Sequence, residues 1–259
     1  MHYKAITFSI GAIMIALALF QSAHLWEQDV IQGSVIANNG IENQKPGSRN
    51  WKITNPAKQM LGNFVNYLFK PTSILQGYAS SPSVQSGKWI SFYVNSQRPF
   101  RMEMYRMGYY QGRGGRLMHT TKELKEYKQK IVSNPEGCNW YPNVRFQVPS
   151  NWPSGFYLTK LIDSNGRESY IPFVVTEKDP HADYIVLIAT NSYQAYNNWG
   201  DKSLYAYNSS SGMQGKSVSY HRPYKNHYGA GSFFQFEYNL IRWLEKEGYK
   251  LTYITDMDV

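Results

Sequence analysis

"DYIVLIATNSYQAYNNWGDKSLY", residues 183–205, is the stretch on which the reading of the chain turns. Its opening, "YIVLIAT" (184–190), is a continuous apolar run, predicted as a strand covered on both faces. Three tyrosines, a tryptophan and a glycine follow within residues 191–205. In an open α/β sheet, ligands bind beyond the carboxyl ends of the strands. Tyr193, Tyr196 and Tyr205 thus follow directly on a strand end of the kind where ligands bind. A spacing of three points Tyr193 and Tyr196 the same way on a helical turn and opposite ways in a strand. The sequence leaves that choice open.

Towards the C-terminus the pattern continues as strand, helix, strand. "GSFFQFEYNLIRWLEKEG" (231–248) is predicted as one helix, with Phe233, Phe236, Leu240, Ile241 and Leu244 on a single stripe and Gly248 as the stop. "YKLTYIT" (249–255) reads as a second strand. This is the grammar of a parallel sheet with helices on its faces. A unit this small cannot bury both faces of such a sheet by itself. The expectation is an incomplete α/β domain over 178–259, truncated or completed from outside the chain.

Towards the N-terminus, beyond a linker-like "EKDPHAD" (177–183), the period changes to two. "KWISFYVNS" (88–96) sets Ile90, Phe92 and Val94 on one face, and "FRMEMYRMGYY" (100–110) alternates Met102 and Met104 with Arg101 and Glu103. "NVRFQVP" (143–149), "GFYLTKLID" (155–163) and "ESYIPFVVTE" (168–177) add strands, the last two joined by an Asn-Gly turn, a strong hairpin signal. With "ILQGYAS" (74–80) the rhythm over 72–177 is that of an immunoglobulin-like β-sandwich. Pro172 argues for an edge position in the last strand.

Residues 27–71 read as linker with a short helix over 56–69, where Met60, Phe64 and Leu68 recur. Before them, "MHYK" and the uncharged run 5–20 have the layout of a secretory signal peptide, or of an uncleaved signal anchor serving as a transmembrane helix over 1–26. The run is ~24 Å long as a helix, short of the ~30 Å bilayer core. An extracytoplasmic protein, secreted or membrane-anchored, is the expectation.

Composition agrees with that picture. Aromatics are abundant, with 22 Tyr, 12 Phe and 7 Trp, and charged residues are sparse at 17%, which excludes a disordered polyelectrolyte. The single Cys138 permits no internal disulfide and reads as a small buried hydrophobe. The net charge is +9, and nine Lys/Arg lie between Arg98 and Lys130. Such a strip is a solvated surface or a contact for an anionic envelope polymer. No nucleic-acid motif accompanies it, and no Cys/His cluster has zinc spacing.

With the strands placed, several phrases in order resemble one family: "LQGYASSPSVQSGKWISFYV" (75–94), "MYRMGYYQGRGGR" (104–116), "CNW" (138–140), "WPSGFYLTKL" (152–161), "SYQAYNNWGDKSLY" (192–205), "RPY" (222–224) and "FEYNLIRWLEKEGYKLTYITDMDV" (236–259). Together they resemble the C-terminal region of the N,N-dimethylformamidase large (beta) subunit and its relatives. That resemblance implies a β-sandwich followed by an α/β domain like that of class I glutamine amidotransferases. It implies hydrolysis of a small amide C–N bond, with iron held by two tyrosines and a glutamate. On that pattern the tyrosine ligands fall on Tyr193 or Tyr196 and on Tyr205, with Tyr224 a weaker candidate. The glutamate belongs to a Gly-His-Asp-Glu-Tyr-Trp phrase that the pattern places after "TDMDV", so the chain as given is expected to bind iron poorly and to be inactive alone. A non-catalytic envelope-surface binding or structural module is the second reading.

Phenolate oxygen is a hard donor suited to ferric iron, and a bound cation favours loss of the phenolic proton. His221 and Arg222 read either as an anion contact or as the end of a surface strand. Asp256 and Asp258 read either as metal or substrate contacts or as helix caps. "GRGGR" (112–116) reads as a turn, since no helix follows it to make a phosphate loop.

Overall fold

A mainly antiparallel pair of sheets dominates the described residues. In the computed structural model, which describes residues 75–130 and 134–259, ten strands form three sheets, with a few short helices. The first sheet orders β1 (Leu75–Ala79), β3 (Trp89–Ser96) and β6 (Val144–Gln147) as β1-β3-β6. The second orders β2 (Ser83–Gln85), β8 (Glu168–Thr176), β7 (Gly155–Asp163), β4 (Phe100–Met107) and β5 (Gly115–Thr120) as β2-β8-β7-β4-β5. The signal-like run 5–20, the linker and the helix expected over 56–69 lie outside the described residues. Among those described, no helix is long and apolar enough to cross a membrane.

Period-two alternation explains the layers. Ile90, Phe92 and Val94 of β3 and Met102 and Met104 of β4 are buried in one core with Tyr157, Leu161, Ile171 and Phe173 of β7 and β8. Phe92 meets Phe173 edge-on at 5.8 Å across the gap between the sheets. The Asn165–Gly166 turn closes the β7–β8 hairpin, with Gly166 at φ +72° and the Asp163 carboxylate accepting the Asn165 N–H at 2.8 Å. Pro172 behaves as its missing N–H requires. β2 pairs with β8 only from Val174 to Thr176, so Pro172 leaves no ladder donor wanting on that side. Sequence reading missed β2 and β5, both too short or too polar for a clear alternation.

The other face of the five-stranded sheet is also buried. Met107, Phe156, Leu158 and Val174 pack against β9 (Tyr184–Ile188), β10 (Leu251–Thr255) and the C-terminal helical segment. β9 and β10 pair in parallel, as the strand–helix–strand pattern required. The expectation that β9 is covered on both faces fails. Val186 and Ile188 are buried, whereas Ile185 and Leu187 are 41% and 49% exposed. Among the described residues β9 has β10 as its one hydrogen-bonded neighbour, and only one side of the pair meets the five-stranded sheet.

The single helix expected over 231–248 is also corrected. Two helices occupy it, α2 (Phe233–Phe236) and α3 (Tyr238–Lys246), and α1 (Thr190–Tyr196) precedes them after β9. Phe233 and Ile241 are fully buried and Leu244 packs beside them, but Phe236 and Leu240 face outward. The break falls at Glu237, whose side chain turns inward, so the phase of the apolar stripe shifts there. Gly248 ends α3 as expected, at φ +81°.

A polar clamp joins the sheet to this segment. Arg106 of β4 donates to the Glu245 carboxylate of α3 at 2.9 Å, and to the Ser154 carbonyl at 2.9 and 3.1 Å. The same carboxylate accepts the Tyr253 hydroxyl at 3.0 Å and the Tyr109 N–H at 3.1 Å. Arg106 is therefore not part of a basic surface strip. Arg101, Arg113, Arg116, Lys122, Lys125, Lys128 and Lys130 are the exposed cations of that region. Cys138 is buried, as read from its isolation, and burial pushes its thiol up to about 12.

Removing one partner of a largely buried ion pair leaves the other charge desolvated. Glu245→Ala should therefore destabilise the protein by about 3 kcal/mol, read from the midpoint of urea unfolding. The double variant Arg106→Met, Glu245→Leu should recover part of that loss. A shift for the single variant of under about 1 kcal/mol would reduce the clamp to an ordinary surface pair.

Candidate functional site

The site begins where β9 ends. Strands β9 and β10 run in parallel, so residues just past both carboxyl ends share one rim. Asp256 follows β10, and its carboxylate accepts the Asn191 N–H at 2.6 Å and lies 3.5 Å from the Thr190 hydroxyl. It thereby caps the first turn of α1, where a negative charge is favoured. Asp258 accepts the Thr255 N–H and hydroxyl at 2.8 and 2.7 Å and the Ser83 hydroxyl at 2.6 Å. Both aspartates act as caps and tethers.

Residues 190–196 are helical, which settles the choice the sequence left open. Tyr193 nevertheless faces inward, at 3% exposure, while Tyr196 is 41% exposed. The Tyr193 ring meets Tyr224 edge-on at 6.1 Å. It also rests against Gly231, at φ +67°, where an added Cβ would stand 2.9 Å from the ring. Its hydroxyl donates a short hydrogen bond to Oε2 of Glu237. Tyr196 instead stacks on Tyr205, with centroids 4.4 Å apart and planes 16° apart, and Tyr205 touches the exposed Tyr207. The structure thus brings Tyr196 and Tyr205 together on the surface and sets Tyr193 apart from them.

A narrow cleft lies beside Tyr193, lined among others by Tyr78, Phe156, Thr190, Arg222 and Tyr224. Tyr220 stands at its edge, its hydroxyl 2.7 Å from Oδ1 of Asn191 and 3.2 Å from the Thr190 hydroxyl. Neither Tyr196 nor Tyr205 lines the cleft, whereas Tyr224 does.

Arg222 is fully buried rather than at the end of a surface strand. Its guanidinium donates to the carbonyls of Gln194, Asn197, Trp199 and Lys202 at 2.7–3.1 Å, and to the Gln194 side chain at 3.3 Å. It holds the turn between Tyr193 and Tyr205 in place. Burial pulls its pKa down, to about 10.

Glu237 is the residue that sequence reading missed. It looked like one more polar position on a helix, and its partner lies 44 residues away, so no local pattern marks it. Burial pushes its carboxyl up from 4.5 to about 7, against the opposing hydrogen bond from Tyr193. Burial also drives the Tyr193 phenol far above its ordinary value, with the Glu237 charge adding to the effect.

The three candidate tyrosines do not converge on one point: Tyr193 turns to Glu237, and Tyr196 and Tyr205 stack apart from it. The Tyr193 hydroxyl is engaged by the Glu237 carboxyl. The hydrogen bond that Tyr205 makes with Tyr196 raises its phenol rather than lowering it. No group of three or more His, Cys, Asp or Glu that could hold a metal ion occurs among the described residues. Two adjacent surface phenols leave most of a ferric ion's charge uncompensated.

The family model described as "N,N-dimethylformamidase beta subunit-like, C-terminal" matches residues 101–259. No curated protein sequence matches the chain.

Glu237 gives this rim a signature in stability. Folded Glu237 keeps its proton up to about pH 7, whereas the unfolded side chain releases it near 4.5. Its contribution is fully present below 4.5, is lost as pH rises towards 7, and is constant above. Unfolding free energy should fall by roughly 3 kcal/mol relative to Glu237→Gln over that window, measured by urea titration at a series of pH values. Parallel pH curves for the two proteins would mean the carboxyl is not desolvated.

Proposed function

The chain belongs to the N,N-dimethylformamidase beta subunit-like, C-terminal family, and from that membership we propose that its cleft binds a small amide and supports hydrolysis of the C–N bond. The observation that carries the reading is the hydrogen bond between Tyr193 and buried Glu237, with the phenol on the cleft wall and the carboxyl behind it. Within this reading, residues 72–177 form an immunoglobulin-like sandwich and residues 178–259 the opening of an amidotransferase-like layered sheet. The apolar run 5–20 directs export or anchors the chain. The parallel β9–β10 pair and the cleft at their carboxyl ends support the second assignment.

The chemistry follows from the direction of one hydrogen bond. With Glu237 ionised, the Tyr193 proton points at the carboxylate and is unavailable to a ligand. With Glu237 protonated, the carboxyl donates to the phenolic oxygen, and the phenol turns its own proton to the cleft. There it donates to an amide oxygen as water adds to the carbonyl carbon. The C–N bond then breaks and the departing nitrogen takes up a proton, giving a carboxylic acid and an amine. Asp256 is the other carboxylate whose field reaches Glu237, and it raises the pKa further. Arg222 and the phenols of Tyr78, Tyr220 and Tyr224 are the remaining ionisable groups at the cleft.

The test is release of dimethylamine from N,N-dimethylformamide, beside binding of acetamide followed by NMR. Acetamide affinity should drop as pH rises through about 7, and Glu237→Gln should flatten that dependence, because the Gln amide donates to Tyr193 at every pH. Tyr193→Phe should lower both binding and turnover, the latter by about 100-fold. Turnover unchanged in Tyr193→Phe, or acetamide binding absent altogether, would defeat the assignment.

A further inference from the structure

Arg222 stands out among the groups that the hydrolytic reading leaves unused. It is fully buried, it lines the cleft, and all five of its N–H groups are satisfied by oxygen acceptors that carry no net charge. The ion pairs among the described residues are Arg101–Glu103, Arg106–Glu245 and Lys160–Glu168, none of which involves Arg222. Burying a guanidinium without a carboxylate is costly, and dipoles alone hold the charge without cancelling it. Loop organisation needs the donors but not the net charge. The unbalanced charge therefore adds a positive potential in the adjoining cleft, which Arg222 lines.

We propose that the cleft is a carboxylate site, its anion held by the field of Arg222 and by the hydroxyls on its wall. The donors within reach of a bound anion are neutral. Ser81 on the β1–β2 side and Tyr224 beside Tyr193 supply the hydroxyls, while Tyr220 already donates to Asn191 and the Thr190 hydroxyl lies against Asp256. The two nearby carboxylates are both occupied. Asp256 caps α1, and Glu237 lies behind Tyr193, and neither lines the cleft. Arg222 has no free N–H, so its role is electrostatic and the ligand's direct hydrogen bonds come from hydroxyls. The ligand class is a small carboxylate of acetate size, either a free acid or the acid half released from an amide. The proposal rests on the cleft being the ligand site, but not on turnover.

Acetate and acetamide share size and shape and differ in charge, so they form the test pair. Protein with ¹³C-labelled tyrosine is titrated with each, at constant ionic strength set by chloride and below the pH at which Glu237 ionises. Acetate should shift the Tyr193 and Tyr224 ring signals and bind about tenfold more tightly than acetamide. Arg222→Gln should abolish that preference, and Arg222→Lys should keep part of it. If Arg222→Gln fails to fold, the comparison of the two ligands on the unaltered protein still decides. Acetamide binding as tightly as acetate, or acetate shifting signals only outside the cleft, would overturn the proposal. Acetate bound at Tyr193 and Tyr224 with no amide ever cleaved would uphold it and sink the hydrolytic reading alone.

Discussion

The arrangement depends on a guanidinium–carboxylate contact between Arg106 and Glu245. Arg106 sits on the middle strand of the five-stranded sheet's outer half, and Glu245 near the end of α3. The carboxylate also takes the Tyr253 hydroxyl of β10 and a backbone N–H from the β4–β5 turn. One anion thus fixes a helix, a parallel strand and a turn against the same sheet. Apolar packing in the second core gives the attraction, but it is non-directional. The clamp supplies the direction, and so sets where the carboxyl ends of β9 and β10 come to rest.

Arg222 does for the rim what Arg106 does for the base. Its five donors gather carbonyls from Gln194 to Lys202 and make the aromatic turn after α1 a fixed object rather than a free loop. The two cations differ in one respect. Arg106 meets a carboxylate, and its charge is spent locally. Arg222 meets only dipoles, and its charge remains available to the neighbouring space.

The strands were legible in the sequence because period-two alternation is a local signal. Ile90, Phe92 and Val94, or Met102 and Met104, announce their face without help from elsewhere. The parallel pairing of β9 with β10 was legible from the strand–helix–strand order. Three things were not. The exposure of one side of β9 has no local signal, because Ile185 and Leu187 look the same whether covered or not. The break falls at Glu237, whose side chain meets a residue 44 positions away, so no local pattern marks it. The separation of Tyr193 from Tyr196 reflects packing of one helix face, which a spacing of three does not resolve. Arg222 was legible as a charged residue beside a proline, but burial reversed its meaning.

The lone sulfhydryl has a practical consequence. Cys138 is enclosed by Tyr78, Trp140 and Trp199, and almost none of it is ionised near neutrality. Maleimide and disulfide reagents therefore find no competing native target in the folded molecule. Single cysteines introduced at outward positions such as Tyr207 or Met213 offer clean attachment points for spin labels and fluorophores. Distances between the aromatic turn and the sheets then become measurable in solution without first engineering a thiol-free background.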